Sequence, residues 1–236
     1  ADLKNVLNEG AILAARFNKE KIGGKDLDEA IERVVLGPER RNKVITDHER
    51  KVTAYHEAGH AVVSHFLQNG DPVQKISIVS RGRSLGQTWS LPETDRVLYS
   101  KSKFEDEITI FLSGREAELI TFGESTTGAQ NDLAQATKMA RKMVAEYGMS
   151  DKIGPVSFDG KDELVFLGRD IAEAKNYSEK TAQIIDDEMQ IIIAKAEAKA
   201  NSVLMEHKEK MEKVAEILLE KETIERDEFE ALINSL

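Results

Sequence analysis

Five consecutive residues, His56-Glu57-Ala58-Gly59-His60, lie inside an unbroken helical pattern that runs from Asp47 to about Gln68. At about 100° per residue, four steps bring His60 to about 40° from His56, one turn along the same face. Two imidazoles so disposed can hold one Zn²⁺ without bending the helix. Glu57 lies beside them, where its carboxylate reaches a metal-bound water rather than the metal. The flanking Ala54, Ala58, Gly59, Ala61, Val62 and Val63 make this helix small-residued and apolar, as expected of one buried beneath a cleft. The rival reading is two unrelated histidines on a wet helix face.

The rest of the chain supplies mostly helix. Leu3, Val6, Leu7, Ala11, Leu13, Ala14 and Phe17 recur at helical spacing over residues 1–17, and Gly23-Gly24 breaks that pattern. A second short helix, 26–35, carries Leu27, Ala30, Ile31 and Val34 on one stripe, with Asp26 as its cap. Gly37-Pro38 ends it, and the charged stretch 39–43 reads as a linker, so a domain boundary is expected near residue 40. After the histidine helix, Asn69-Gly70-Asp71-Pro72 stops the pattern and the period changes. Residues 75–79 and 87–91 read as two antiparallel strands across a loop bearing Gly82 and Gly86. Helical patterns return at 103–122, 131–147, 178–206, 208–221 and 226–235, with 148–160 a loop and Thr223 and Asp227 as candidate caps for the last helix. The expected fold class is mainly α, with a small β-sheet near residues 73–92 and a short helical segment in front.

Composition narrows the function. A net charge of −10, with 40% hydrophobic and 32% charged residues, describes a folded acidic protein that would repel nucleic acid. No stretch approaches the roughly 18 apolar residues of a membrane span, so any membrane anchor is expected to lie outside these residues. With no cysteine, a metal must be held by His, Asp or Glu. A catalytic zinc needs a third protein ligand and an open position. His65 is five residues past His60 and faces about 140° away, and His48 lies two turns before His56. A third histidine six residues after His60 is absent, because that position is Phe66, and His207 reads as a solvated residue of a charged helix. The third ligand is therefore a carboxylate from elsewhere, with Glu118 and Asp132 as the two candidates. Asp132 also suits a plain role as a helix-start carboxylate.

Several runs resemble the FtsH family of AAA proteases. They are 54–61 around the two histidines, Gly37-Pro38-Glu39-Arg40, Leu85-Gly86-Gln87-Thr88 with Leu91-Pro92-Glu93, and Thr126-Thr127-Gly128-Ala129-Gln130-Asn131-Asp132-Leu133. Tyr147-Gly148-Met149-Ser150, Leu164-Val165-Phe166-Leu167-Gly168 and Leu218-Leu219-Glu220-Lys221-Glu222-Thr223-Ile224 follow in family order, so the resemblance spans nearly the whole chain. It implies that His56, His60 and Asp132 bind zinc, that Glu57 is the general base, and that Glu118 orients a ligand imidazole. Glu116 and Leu119 depart from the family pattern near Glu118. The resemblance further implies that residues 1–40 are the end of an ATPase's helical lid plus a linker, and that 41–236 are a zinc metalloprotease domain. The phosphate-cradling G-x-x-x-x-G-K-[ST] loop is absent, because Gly23-Gly24-Lys25-Asp26 has the wrong spacing. ATP and Mg²⁺ are accordingly expected only in an ATPase part preceding residue 1.

The implied activity is metal-assisted peptide hydrolysis of unfolded or membrane proteins by a homo-hexamer. It would work at the cytoplasmic face of a bacterial inner membrane, or at a mitochondrial or chloroplast membrane. Gly86, Gln87 and Thr88 are candidate substrate-binding residues on a strand to which an extended peptide could add; the alternative places that strand inside the sheet. Two other classes compete: a homologue that keeps the fold and metal but has lost proteolysis, and a helical interaction module with an accidental motif. Retention of Glu57 beside both histidines argues against the first.

Overall fold

A computed structural model describes residues 2–39, 45–82, 84–92, 94, 97–158 and 177–235. Most of the linker stretch, 40–43, and the motif at 164–168 lie outside the described residues. Two helices, α1 (Asp2–Arg16) and α2 (Gly24–Leu36), form an N-terminal hairpin. Helix α3 (Asp47–Phe66) leads into strands β1 (Val73–Ser77) and β2 (Gln87–Ser90). Helix α4 (Lys101–Phe122), a single 3₁₀ turn (Thr127–Ala129) and α5 (Gln130–Ala145) follow. The chain closes with α6 (Glu179–Glu206), α7 (Lys208–Lys221), β3 (Thr223–Glu225) and α8 (Arg226–Ser235). The mainly α architecture with a small sheet is as expected.

Helix starts follow their capping chemistry. At α3, Thr46 Oγ1 accepts from the Glu49 amide (3.2 Å) while the Glu49 carboxylate accepts from the Thr46 amide (2.9 Å), a reciprocal box that satisfies two orphan donors. Ser100 and Ser178 cap α4 and α6 in the simpler way, each hydroxyl accepting from the amide three residues on. Helix α4 stops at Gly123, whose φ of +78° is the left-handed conformation that glycine adopts without penalty.

The sheet is antiparallel, in the order β2-β1-β3, so β2 is an edge strand among the described residues. Thr88 stands opposite Ile76, and Ile76 stands opposite Ile224 on the far side. The third strand corrects the sequence reading: Thr223 is a strand residue, and α8 begins after it, at Arg226.

Helix α3 is the axis of the molecule. One core joins its Ala54, Ala58, Ala61 and Val62 to Val73 and Ile76 of the sheet, Val214 and Leu218 of α7, and Phe229 of α8. A second core, with Ile108, Leu112, Ala140 and Met143, lies between α4, α5 and α6. The α3–α4 contact is unusually close. A Cβ on Gly59 would lie 2.6 Å from Ala117 Cβ and 2.7 Å from the Ser113 carbonyl oxygen. The N-terminal hairpin docks on the sheet side through charge. Arg81, 4% exposed, lies within 3.1 Å of Glu29, 2.9 Å of Glu32 and 2.8 Å of Glu39, while Lys75 Nζ reaches Glu32 at 2.7 Å.

Candidate metal centre

The candidate site lies where α3 crosses α4, beside the start of α5. His56 and His60 project from α3 with their Nε2 atoms 3.1 Å apart. Asp132, in the first turn of α5, brings Oδ2 to 3.3 Å from His56 Nε2 and 3.6 Å from His60 Nε2. These three residues are the one such group of His, Asp or Glu among the described residues. Both rings are held from behind. His56 Nδ1 meets Glu118 Oε1 at 2.7 Å, and His60 Nδ1 meets the Ile110 carbonyl oxygen at 2.7 Å. A carbonyl can only accept, so His60 carries its hydrogen on Nδ1 and turns an Nε2 lone pair inward. An ionised Glu118 imposes the same tautomer on His56.

Lone pairs from two imidazoles and a carboxylate therefore converge, an arrangement that suits a cation between them. A tetrahedral zinc with ligand atoms at about 2.0–2.2 Å would set its ligand atoms roughly 3.3–3.6 Å apart. The three separations of 3.1, 3.3 and 3.6 Å bracket that span. Gly114 completes the cradle: a Cβ there would lie 2.6 Å from His56 Nε2 and from His60 Nε2. The residues fit a divalent metal.

The electrostatics agree. Burial disfavours a charged His56, but hydrogen bonds to Asp132 and Glu118 and the charge of Glu57 prevail, raising its pKa to about 10. A lone proton thus finds here the attraction that a metal would use. Burial likewise works against an ionised Asp132, yet the two imidazoles hold it well below the usual carboxylate range. Glu57 is buried, and burial pushes its carboxyl up against the pull of both histidines and the Thr88 hydroxyl. An upward shift is the direction a base working near neutrality needs.

Other expected residues fall as follows. Glu118 accepts from His56 with one oxygen and from the Thr126 amide (2.6 Å) with the other, tying α4 to the loop that leads to Asp132. Glu116 is buried against Arg115 and Asn201. Gly86, Gln87 and Thr88 lie at the start of the edge strand, but the Thr88 hydroxyl is directed at Glu57. His48 and His65 are away from the cluster, His48 edge-on to Phe122 and His65 3.6 Å from Glu230. The solvated reading of His207 is corrected: its ring stacks on Phe66 at 3.5 Å, 12° from coplanar. The Ile110 carbonyl and Gly114 went unread in the sequence. A backbone carbonyl leaves no sequence mark, whereas a glycine in mid-helix is the signal that could have shown Gly114.

The comparisons with known proteins agree with this geometry. The model of peptidase family M41 matches residues 43–232. The chain is 50% identical over 234 residues to the ATP-dependent zinc metalloprotease FtsH 1 of Sphaerobacter thermophilus, covering 99% of this chain and 36% of that protein. It is 51% identical to the protein of the same name from Thermomicrobium roseum (99% and 36%), and 46% identical to the ATP-dependent zinc metalloprotease FtsH of Thermotoga maritima (99% and 38%). The chain spans a little over a third of the length of these relatives. With the family match covering most of the chain and the motifs of the FtsH proteins in order along it, the chain belongs to peptidase family M41.

Proposed function

We propose that this chain is the zinc-dependent proteolytic part of an ATP-dependent protease, with His56, His60 and Asp132 as metal ligands and Glu57 as general base. The observation that carries the reading is the convergence of three ligand atoms, all within 4.8 Å of one another, beside a buried glutamate. When bound, zinc supplies a Lewis acid that polarises the scissile carbonyl and acidifies the attacking water. Glu57 accepts the proton of that water as oxygen adds to the carbonyl carbon, then returns it to the leaving nitrogen as the C–N bond breaks. Glu118 and the Ile110 carbonyl hold the two rings in the tautomer that presents Nε2. Among the described residues β2 is an edge strand, and an extended peptide adds along it as a further strand, recognition that is largely indifferent to side chains.

The wider reading comes from the family and from relatives named as ATP-dependent. Residues 1–40 are then the end of an ATPase lid and a linker, and 41–236 the protease domain, a division supported by a family match that starts at residue 43. Substrates are unfolded or membrane proteins fed by the ATPase, and the working form is a homo-hexamer. Among the described residues no helix is long and apolar enough to cross a membrane. In this reading a segment outside these residues anchors the protease at the cytoplasmic face of a bacterial inner membrane.

Digestion of unfolded casein by the zinc-loaded chain tests the core of the proposal. Cleavage should stop on adding a chelator and resume with zinc. Glu57→Gln should lose cleavage by at least about 100-fold while keeping about one zinc per chain. Chelator-resistant cleavage, or an active Glu57→Gln, overturns it.

A further inference from the structure

Glu57 is held in place by the edge strand. Thr88 Oγ1 lies 2.7 Å from Glu57 Oε2 and 3.0 Å from the Glu57 carbonyl oxygen, so the hydroxyl's single proton is shared between two acceptors of one residue. An ionised carboxylate only accepts, and a charge-assisted O–H···O⁻ contact at this distance is a strong one. The other carboxylate oxygen faces Gly86. A Cβ at Gly86 would lie 2.8 Å from Glu57 Oε1, 2.9 Å from Glu57 Cγ and 2.6 Å from Thr53 Cγ2. The hydroxyl thus fixes one oxygen, and the bare backbone of Gly86 leaves room for the other.

The strand that does this is itself rigidly placed. Thr88 pairs with Ile76 of β1, a fully buried core residue that pairs in turn with Ile224. A free glutamate samples several rotamers, whereas proton transfer needs the base within about 2.6–3.2 Å of its target. A misplacement of about 1 Å costs on the order of 100-fold in rate.

We propose that Thr88 is a positioning residue for the hydrolysis: its hydroxyl aims the Glu57 carboxylate, and Gly86 leaves the space that this orientation needs. The strand offered to substrate and the group that aims the base are then one element. The inference rests on the reading of Glu57 as general base, and the test separates the two.

Thr88→Val keeps the branched shape and deletes the hydroxyl; Thr88→Ser keeps the hydroxyl and deletes the methyl. Gly86→Ala inserts a methyl against Glu57, where the atoms it meets belong to the side chains of Glu57 and Thr53. These variants, with wild type and Glu57→Gln, are compared as the zinc-loaded 236-residue chain. Steady-state cleavage of a quenched fluorescent peptide, zinc per chain and thermal unfolding are measured for each. Thr88→Val is expected to lower kcat about 10- to 100-fold with KM and zinc content unchanged, and Thr88→Ser to recover to within about 3-fold of wild type. Gly86→Ala should lower kcat in the same way. The proposal is overturned if Thr88→Val turns over at the wild-type rate, if Thr88→Ser falls as far as Thr88→Val, or if lost activity simply tracks lost zinc. Should Thr88→Val fail to fold, Thr88→Ser and Gly86→Ala decide: a Gly86→Ala chain with wild-type kcat, or a slow Thr88→Ser, overturns it. An active Glu57→Gln defeats the general-base reading. An inactive Glu57→Gln beside a fully active Thr88→Val defeats only the role of Thr88.

Discussion

Gly114 shows how one missing methyl can shape the proposed metal site. Alanine in a helix interior is favoured over glycine by about 0.8–1.0 kcal/mol, so α4 accepts a local penalty at this position. The reason is that a Cβ would sit 2.6 Å from Nε2 of both His56 and His60, where it would push the imidazoles out of alignment. Gly114→Ala is therefore expected to bind zinc about 10- to 100-fold more weakly in competition with a chromophoric chelator. Wild-type affinity in that assay would show that the imidazoles tolerate the methyl. The histidine pair and its glutamate were legible in the sequence because helical spacing fixes their relation. The choice between Glu118 and Asp132 was not. Both carboxylates contact His56, one at Nδ1 and the other on the Nε2 side, and only the path of the chain decides which nitrogen each meets.

At the scale of elements, the same substitution has a different consequence. Gly59 faces Ala117 Cβ and the Ser113 backbone at 2.6–2.7 Å, so an added methyl meets a helix backbone rather than a movable side chain. Gly59→Ala must pry α3 from α4, and we expect it to destabilise the chain by about 1–3 kcal/mol, seen as a lower urea midpoint at constant m-value. An unchanged midpoint would mean that the helices are not locked at this crossing. Long helices were legible, since α3 and α4 carry sustained patterns and clear stop signals. Strand β3 was not: three residues are too few to show alternation, and its partner β1 is far away in sequence. Its Thr223 resembled a helix cap because hydroxyl residues serve both roles.

For the whole molecule, stability is bound to pH through buried carboxylates that join distant segments. Asp106 of α4 is buried and accepts from Lys199 of α6 at 2.6 Å, and from the amide and side chain of Asn69 at 3.1 and 2.8 Å. Burial opposes its ionisation, but these donors prevail and hold its carboxyl below the ordinary value. A group lowered on folding stabilises the chain above its unfolded pKa, about 3.9 for Asp, and that contribution disappears as pH falls through the folded value. The melting temperature should therefore drop as pH is lowered from about 5 toward 3. Asp106→Asn should melt lower at neutral pH and show a shallower acid decline; an equally steep decline would assign the acid lability to other carboxylates. By itself the sequence determined the helical class, the stripe of small residues through α3, and the His-Glu-His unit, because all three are relations between neighbours set by the helical repeat. Tertiary structure alone decided which carboxylate faces the inner nitrogens, that β2 is an edge, that Thr88 reaches Glu57, and that His207 stacks on Phe66. Each of those depends on where segments remote in sequence come to rest, and no local period encodes the packing that brings them there.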